Sequence, residues 1–221
     1  MTKKLIVSYG FLALFTLRCP ANAKMTTAQA PTPCTYNNRN ASFPASFDFT
    51  AMPTGFTHMA FTDQMIASGG VGVLQSVTGG KFDILYSTTA LSAANTKLKT
   101  DFNFAAGANN SNNVMLFMHW SFASNAYYQA QIDKSGVLFL VKLAGSTLTL
   151  QNFTFIATPP AMGTLELSIC NGVVTATVGA DAVSVTDNAP LTSGVIAVGI
   201  DNSMGGSAGS VSIDNLGVFV P

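Results

Sequence analysis

The amino-acid sequence predicts an all-β protein, an antiparallel β-sandwich with one domain. Short segments in which apolar and polar residues alternate recur along most of the chain, and this period of two is typical of half-buried strands. Turn residues separate the segments at close spacing, and no segment shows a sustained helical period. Many short strands with close turns favour antiparallel sheets over a parallel sheet with crossover helices.

The N-terminal residues are typical of a secretory signal. Lys3 and Lys4 precede the apolar run LIVSYGFLALFTL, and the small residues ANA at 21–23 offer a cleavage point. We therefore expect a signal peptide over residues 1–23 and a secreted protein, either extracellular or held at the cell surface. No apolar run reaches the roughly 18 residues of a membrane span, so we expect no transmembrane segment. Residues 24–46 are rich in Pro, Thr, Ala and Asn, which predicts an extended tail.

The sandwich domain is expected over residues 47–221. The Asn-Gly pair in CNGV, residues 170–173, favours the positive φ angles of a tight hairpin turn, and DKSG at 133–136 is a similar signal. The alternation in TLELSIC predicts a strand with one buried and one polar face. The predicted strands, in chain order, are FDFT, GVGVLQSV, FDILYS, TKLKTDFNF, NVMLFMHWSF, YYQAQI, GVLFLVKL, TLTLQNFTFI, TLELSIC, VVTATV, AVSVT, GVIAVGI and GSVSIDNLGVFV.

Charge and cysteine content restrict the partners and the compartment. Cleavage of the signal would remove three positive charges and one cysteine, leaving seven Lys and Arg against ten Asp and Glu. A net charge of −3 gives no electrostatic footprint for nucleic acid, so we expect no nucleic-acid partner. Cys34 and Cys170 remain as an even pair in an exported chain, which predicts a disulfide bond between the tail and a strand.

Three segments carry a resemblance to a known family. They are NVMLFMHWSFASNAYYQAQIDKSGVLFLVKL, GTLELSICNGVVTATVGADAVSVTDNAP and SGVIAVGIDNSMGGSAGSVSIDNLGVF. Together they resemble the concanavalin A-like lectin/glucanase superfamily, in particular its laminin-G-like branch, over residues 100–219 and more loosely over 47–100. The resemblance implies a jelly-roll of two curved antiparallel sheets, with ligands on the concave sheet or its rim loops. Its members include lectins, carbohydrate-binding modules, glycosidases and lyases, so the fold alone does not decide the function.

The sequence also offers residues for a saccharide site. Such a site needs an aromatic ring against which a sugar can pack, beside amides and charged groups that exchange hydrogen bonds with hydroxyls. The stretch FMHWSFASNAYYQAQI at 117–132 contains rings and amides, and later strands add a lysine and a glutamate. We expect a saccharide or glycan partner, bound by His119, Trp120, Tyr127, Gln129, Gln131, Lys142 and Glu166.

Strand register decides which of these side chains share a face. If Phe122 pairs with Tyr127 across the hairpin, Trp120 lies on the same face as the two glutamines. A shift of one residue places His119 beside the glutamines and sends Trp120 into the core. The sequence leaves both registers open.

The resemblance also implies a calcium ion where the first and last strands meet. Asp48 of SFDFT and Asp214 of SIDNL are the nearest matches, with Asp201 of GIDNS as an alternative in a loop. Carboxylate and backbone oxygens suit calcium. The competing interpretation is that Asp214 only caps a strand end and a turn.

Catalysis on a glycan is a weaker expectation. A glycosidase needs two carboxyl groups across one bond, whereas Glu166 is the only glutamate of the chain. A lyase needs a positioned base, for which His119 or Tyr127 could serve, and a group that neutralises a uronate, but the only arginine beyond the signal is Arg39 in the tail.

The leading hypothesis is therefore a secreted, non-catalytic carbohydrate-recognition module. The second is a structural subunit of an extracellular coat, matrix or filament, which low charge, exposed strand edges and an extended tail favour through self-association. A glycan-active hydrolase or lyase ranks third.

Overall fold

A computed structural model describes most of the predicted domain. It covers residues 34–40, 43, 48–60, 64–74, 81–202 and 210–221, all of which belong to one compact unit, Pro33–Pro221. The predicted signal peptide and the tail before Cys34 lie outside the described residues. Within the described part of the chain, no helix is long and apolar enough to cross a membrane.

All regular secondary structure in the described residues consists of β-strands. The sixteen strands are β1 (Asn38–Arg39), β2 (Phe56–Ala60), β3 (Met65–Ser68), β4 (Val71–Leu74), β5 (Lys81–Ser87), β6 (Leu91–Ser92), β7 (Thr96–Phe104), β8 (Asn113–Ser121), β9 (Ala126–Asp133), β10 (Val137–Ala144), β11 (Thr147–Phe155), β12 (Met162–Cys170), β13 (Val173–Val178), β14 (Asp181–Thr186), β15 (Ser193–Asn202) and β16 (Val211–Val220).

These strands form two antiparallel sheets that pack face to face. The first sheet has the order β14-β13-β12-β7-β16-β4-β3, with β1 added beside β16. The second has the order β11-β10-β9-β8-β15-β5-β2, with β6 added beside β15. The predicted antiparallel β-sandwich is confirmed, and its strand order has the crossovers between sheets that a jelly-roll requires.

Alternation along each strand builds the core between the sheets. In β12, Leu165, Leu167 and Ile169 are fully buried and meet residues from the opposite sheet, such as Leu116 and Ala130. The residues between them face outward, because successive side chains of a strand point to opposite faces. The buried face predicted for TLELSIC is therefore confirmed.

A β-bulge near the end of β8 changes which way its last side chains point. The pairing of β8 with β9 shifts between Met118 and Ser121, and His119 has a positive φ of 54°. On the other side, Gly194 of β15 approaches so closely that a Cβ atom there would lie 2.3 Å from the carbonyl carbon of His119. Only glycine fits this position, so the two strands fix the bulge together.

The tail is attached to the first sheet by a disulfide bond, by a side-chain hydrogen bond and by strand pairing. Cys34 and Cys170 form a disulfide bond with their Cα atoms 5.7 Å apart, which confirms the predicted pairing. Tyr36 then donates a hydrogen bond of 2.6 Å from its hydroxyl to the carbonyl oxygen of Ile169. Beyond it, β1 pairs with the end of β16. The segment after Cys34 is thus part of the sandwich.

Candidate functional site

The outer face of the second sheet carries a continuous cluster of aromatic rings. We call this cluster, formed by Tyr86, Phe117, Trp120, Phe122 and Tyr127, the aromatic face. Ring centroids lie 4.9 Å apart for both Tyr86–Phe122 and Trp120–Phe122, 5.0 Å for Phe117–Trp120, 5.3 Å for Trp120–Tyr127 and 5.4 Å for Phe117–Tyr127. These separations are typical of attractive edge-to-face and offset contacts.

The rings differ in how much surface they expose. Phe117 and Trp120 are buried, with Trp120 only 5% exposed, whereas Phe122 in the turn after β8 is 43% exposed. Tyr127 is half-buried, and burial raises the pKa of its hydroxyl to about 12, so the hydroxyl stays protonated. Trp120 therefore forms the floor of the cluster, and Phe122 is the ring most open to a ligand.

One polar atom of the floor lacks a partner. The indole Nε1 of Trp120 is buried and has no hydrogen-bond partner among the described residues. A buried N–H without an acceptor costs roughly 1 to 3 kcal/mol. Because the atom is covered, a ligand hydroxyl would reach it as an acceptor only after the surrounding rings shift.

An amide pair lies beside the rings on the same face. Gln129 pairs across the strands with Phe117, and Gln131 pairs with Met115. The Gln129 side-chain nitrogen donates a hydrogen bond of 3.0 Å to the Gln131 side-chain oxygen. This contact holds the two amides side by side next to the aromatic face.

The structure resolves the register that the sequence left open. Ser121 pairs with Ala126 and Met118 with Tyr128, so the pairing of Phe122 with Tyr127 does not form. Trp120 nevertheless lies on the outer face with the glutamines, because the bulge turns the end of β8. His119 points to the interior instead, where its Nδ1 lies 2.6 Å from the carbonyl oxygen of Leu191.

Lys142 lies on the inner side of the second sheet, at the end of the core. Its Nζ donates to Asp187 Oδ2 at 2.7 Å and to the Ala189 carbonyl oxygen at 2.7 Å. Tyr128 donates its hydroxyl proton to the same Asp187 oxygen at 2.5 Å and accepts from the Leu191 nitrogen at 2.9 Å. This buried network fastens the segment between β14 and β15 to the sheet.

Burial and hydrogen bonding set the charge states of this interior network. Burial alone would raise the pKa of Asp187, but hydrogen bonds from Lys142, Tyr128 and the Ala189 nitrogen outweigh it and hold the pKa below its ordinary value. Burial lowers the pKa of His119, although its contact with the Leu191 carbonyl acts in the opposite direction. Asp187 is therefore ionised and His119 neutral at pH 7.

Glu166 lies in the other sheet, on the outer face of β12. One carboxylate oxygen is 3.4 Å from Lys97 Nζ, and the other accepts a hydrogen bond of 3.5 Å from Thr177. The seven predicted residues therefore occupy three places. Trp120, Tyr127, Gln129 and Gln131 share the aromatic side of the second sheet, His119 and Lys142 lie inside, and Glu166 belongs to the first sheet.

The predicted calcium residues come close to each other with a third carboxylate. Asp214 pairs across the strands with Asp101, and the charges of Asp101 and Asp48 add to burial, the largest cause, in raising the pKa of Asp214. A cleft of about 450 Å³ has Asp101 and Asp214 in its lining. However, no cluster of three or more His, Cys, Asp or Glu side chains suited to a metal ion occurs in the described residues. The alternative residue Asp201 lies in β15, beside Asn113.

Sequence reasoning missed three aromatic residues of this site and the carboxylate inside. In KFDILYS, Tyr86 lies on the same face as Phe82 and Ile84, opposite to Leu85, and this period could have placed Tyr86 away from the face of Leu85. Phe122 follows the strand in a turn, where no period applies. Asp187 follows β14 in TDNAP and is 45 residues from Lys142, so no local signal pairs them.

Comparison with known proteins identifies the fold. No protein-family model and no curated protein sequence matches the chain. Among solved structures, the carbohydrate-binding module CBM66 from Bacillus subtilis covers 76% of this chain and 96% of its own, with a TM-score of 0.55 and 10% identity. The β-glucanase of Bacillus licheniformis covers 80% and 98%, with a TM-score of 0.60 and 11% identity. The VIP36 exoplasmic/lumenal domain, in its Ca2+/Man3GlcNAc-bound form, covers 82% and 90%, with a TM-score of 0.58 and 8% identity.

These likenesses extend over nearly the whole of each solved chain. They confirm the concanavalin A-like jelly-roll fold that the three sequence segments resembled. The three proteins are named for different functions, and at this level of identity the likeness concerns the fold alone.

Proposed function

We propose that the protein is an exported carbohydrate-recognition module that binds a saccharide at the aromatic face and catalyses no reaction. The observation that carries the proposal is the cluster of rings with the exposed Phe122 at its surface, beside the Gln129–Gln131 amide pair. A binding module and a lectin-type domain of the same fold support the choice of ligand. The Cys34–Cys170 disulfide supports an oxidising, extracellular compartment.

The aromatic face has the chemistry of a sugar site. The half-exposed Phe122 ring offers an apolar surface to the C–H side of a pyranose, backed by the Trp120 ring at 4.9 Å. The amides of Gln129 and Gln131 can both donate and accept hydrogen bonds, as hydroxyl groups require. Because strand packing holds these groups in place, little conformational entropy is lost on binding.

The placement of the carboxylates favours binding over hydrolysis. Glu166 faces away from the aromatic face in the other sheet, where it interacts with Lys97. Asp133 follows Gln131 at the end of β9, but its Oδ1 accepts hydrogen bonds from Ser135 and Val137 in its own turn. The pair of opposed carboxyl groups that glycoside hydrolysis needs is not assembled beside these rings in the described structure.

Two variants test the site. We expect Phe122→Ala and Gln131→Ala each to weaken binding to the saccharide selected by a glycan array by about fivefold, since each removes a stacking or hydrogen-bonding group worth about 1 kcal/mol. Met162→Ala is the matched control, because Met162 is an exposed apolar residue of the first sheet. Equal affinity in all four proteins would exclude the aromatic face as the site.

We also propose calcium at Asp48 and Asp214, with a role in stability rather than in the chemistry of the sugar. Burial first, and then the charges of Asp101 and Asp48, raise the pKa of Asp214, and a divalent cation would relieve this repulsion. Titration calorimetry with calcium alone should show binding to the wild type and none to Asp214→Asn. A flat titration of the folded wild type would remove calcium from the account.

A structural subunit remains the second candidate function. The edge strand β11 is largely exposed along its length and carries Phe155, whose side chain is also exposed. Open strand edges can pair with a second chain. Sedimentation over a range of concentrations should show a monomer if recognition is the function, and growing assemblies if β11 pairs between molecules.

A further inference from the structure

We propose a second binding site, on the outer face of the first sheet, for the carboxylate or sulfate groups of an acidic saccharide. We call it the basic patch, and it consists of Arg39, Lys97 and Lys99 around the ring of Phe219. The basic patch and the aromatic face belong to different sheets. Binding at one can therefore be measured without binding at the other.

Strand pairing brings the three cations together. Phe219 of β16 pairs with Lys97 of β7 on one side and with Arg39 of β1 on the other. Lys99 pairs with Gly217, two residues before Phe219. The charged groups of Arg39, Lys97 and Lys99 lie 5.5, 5.6 and 5.4 Å from the centre of the Phe219 ring.

The Phe219 ring can lie close to its own strand because residue 217 is a glycine. A Cβ atom at Gly217 would be 2.9 Å from Cε2 of Phe219 and 3.8 Å from Cε of Lys99. Any larger residue would lift the ring and separate it from the lysines. The chain thus builds a rigid apolar floor on which the cations rest.

These cations are less engaged than the other described ones. Lys142 is buried in its ion pair with Asp187, and Lys134 donates at 2.6 Å to the Ala108 carbonyl oxygen. Arg39 and Lys99 form no ion pair within the described part of the chain. Lys97 forms an ion pair of 3.4 Å with Glu166, whose side chain is 32% exposed against 24% for Lys97. Glu166 is also the cross-strand neighbour of Lys99.

The local charge is opposite in sign to that of the compact unit Pro33–Pro221, which contains six Lys and Arg against ten Asp and Glu. Three cations and one carboxylate give the basic patch a charge of +2 with Glu166 included. Concentrating positive charge on one face of an otherwise acidic domain attracts anions to that face.

The surroundings of the basic patch limit its contact to a short stretch of an acidic saccharide chain. Asp101 follows Lys99 on the same face of β7, and it pairs with Asp214. These carboxylates would repel an anionic chain that continued along the strands. In the other direction, Ser168 of β12 pairs with Lys97, and beyond it Thr175 and Ser184 lie 2.8 Å apart on β13 and β14. Hydroxyl groups beside cations suit a sugar that carries one or two anionic substituents.

The test measures binding of the purified protein to polygalacturonate, which is carboxylated, and to heparin, which is sulfated, with neutral dextran for comparison. We expect binding to at least one acidic polymer and none to dextran. Affinity should fall as salt rises from about 0.05 M to about 0.5 M, because screening shortens the reach of exposed charges. The acidic polymer that binds identifies the anionic group.

Matched variants locate the site. K97Q/K99Q should lower the affinity roughly tenfold, and K97R/K99R should retain it, because two exposed charge contacts are lost only in the first. T147E/Q151E is the control, since it changes the net charge by the same two units on exposed positions of β11. Circular dichroism would verify that each variant is folded.

The outcomes decide between the basic patch and its rivals. Loss in K97Q/K99Q alone supports the proposal. Equal loss in T147E/Q151E shows a general charge effect and overturns it, as does failure of the folded wild type to bind either acidic polymer. A change in self-association without polymer binding also overturns it, by assigning the patch to contacts between copies of the chain. Binding of neutral saccharides at the aromatic face would be unchanged in every case.

Discussion

Substitution of Asp187 by asparagine should destabilise the protein more than substitution of Glu166 in the surface ion pair Lys97–Glu166. Asp187 and Lys142 are only 6% and 8% exposed, and the carboxylate also accepts from Tyr128. Removing the charge leaves the Lys142 ammonium buried without a counter-ion, which typically costs about 3 to 5 kcal/mol. For a domain of this size the loss corresponds to a fall in melting temperature of roughly 6 to 20 °C.

The surface pair Lys97–Glu166 provides the comparison within the same molecule. Its atoms are 3.4 Å apart and its side chains are 24% and 32% exposed, so Glu166→Gln should cost no more than about 1 kcal/mol. Urea unfolding of both variants, followed by tryptophan fluorescence, measures the difference directly. In the double variant K142M/D187N the loss should be smaller than the sum of the two single losses, because the unpaired charge is gone.

Acid titration gives a second view of the same group. The pKa of Asp187 in the folded protein is held below its ordinary value. The carboxylate therefore contributes fully to the free energy of unfolding above the pKa it has in the unfolded chain. This contribution is lost as the pH falls through the pKa of the folded state. Asp187→Asn should therefore reduce the loss of stability between about pH 4 and pH 2. If Asp187→Asn costs no more than Glu166→Gln, the network does not fasten the β14–β15 segment and the reasoning fails.

Three further changes test other parts of the structure. The double variant C34S/C170S should lose about 2 to 5 kcal/mol of unfolding free energy in chemical denaturation, because the bond closes a loop of 136 residues; an unchanged midpoint would contradict its role. Gly194→Ala should cost about 3 kcal/mol or more, since its Cβ atom would overlap the His119 carbonyl and φ is 148°; a loss below 1 kcal/mol in the same assay would show that the bulge relaxes. The folded pKa of His119 is lowered, so wild-type stability should decline as the pH falls below about 6.5, whereas His119→Gln should remove this part of the slope in thermal melts between pH 7 and pH 5.

Much of the fold follows from local patterns. The alternation in TLELSIC correctly predicts the buried face of β12, because a period of two is a property of the strand itself. The Asn171–Gly172 pair has the positive φ angles that the hairpin prediction required. The disulfide was predictable as well, since the only other cysteine, Cys19, lies in the predicted signal peptide.

The positions of the candidate site residues depend on contacts that no local pattern contains. The face of Trp120 is decided by the bulge, which needs the close approach of Gly194 from a strand 75 residues later. Lys142 lies on the same face of β10 as Leu138 and Leu140 and so points inward, which is tolerated only because Asp187 reaches it from another element. From the sequence, we expect Lys142 to contact the ligand, because it is a lysine in an apolar strand. In the structure its side chain forms an internal ion pair with Asp187.

The central claim is that the aromatic face binds saccharide, and a glycan array tests it most directly. The purified wild-type protein and Phe122→Ala would be applied to the same array of neutral and acidic glycans, with Met162→Ala as the control. We predict a defined set of ligands for the wild type and for Met162→Ala, and loss of the neutral ligands in Phe122→Ala. No bound glycan from folded wild-type protein, or an identical set from Phe122→Ala, would contradict the claim.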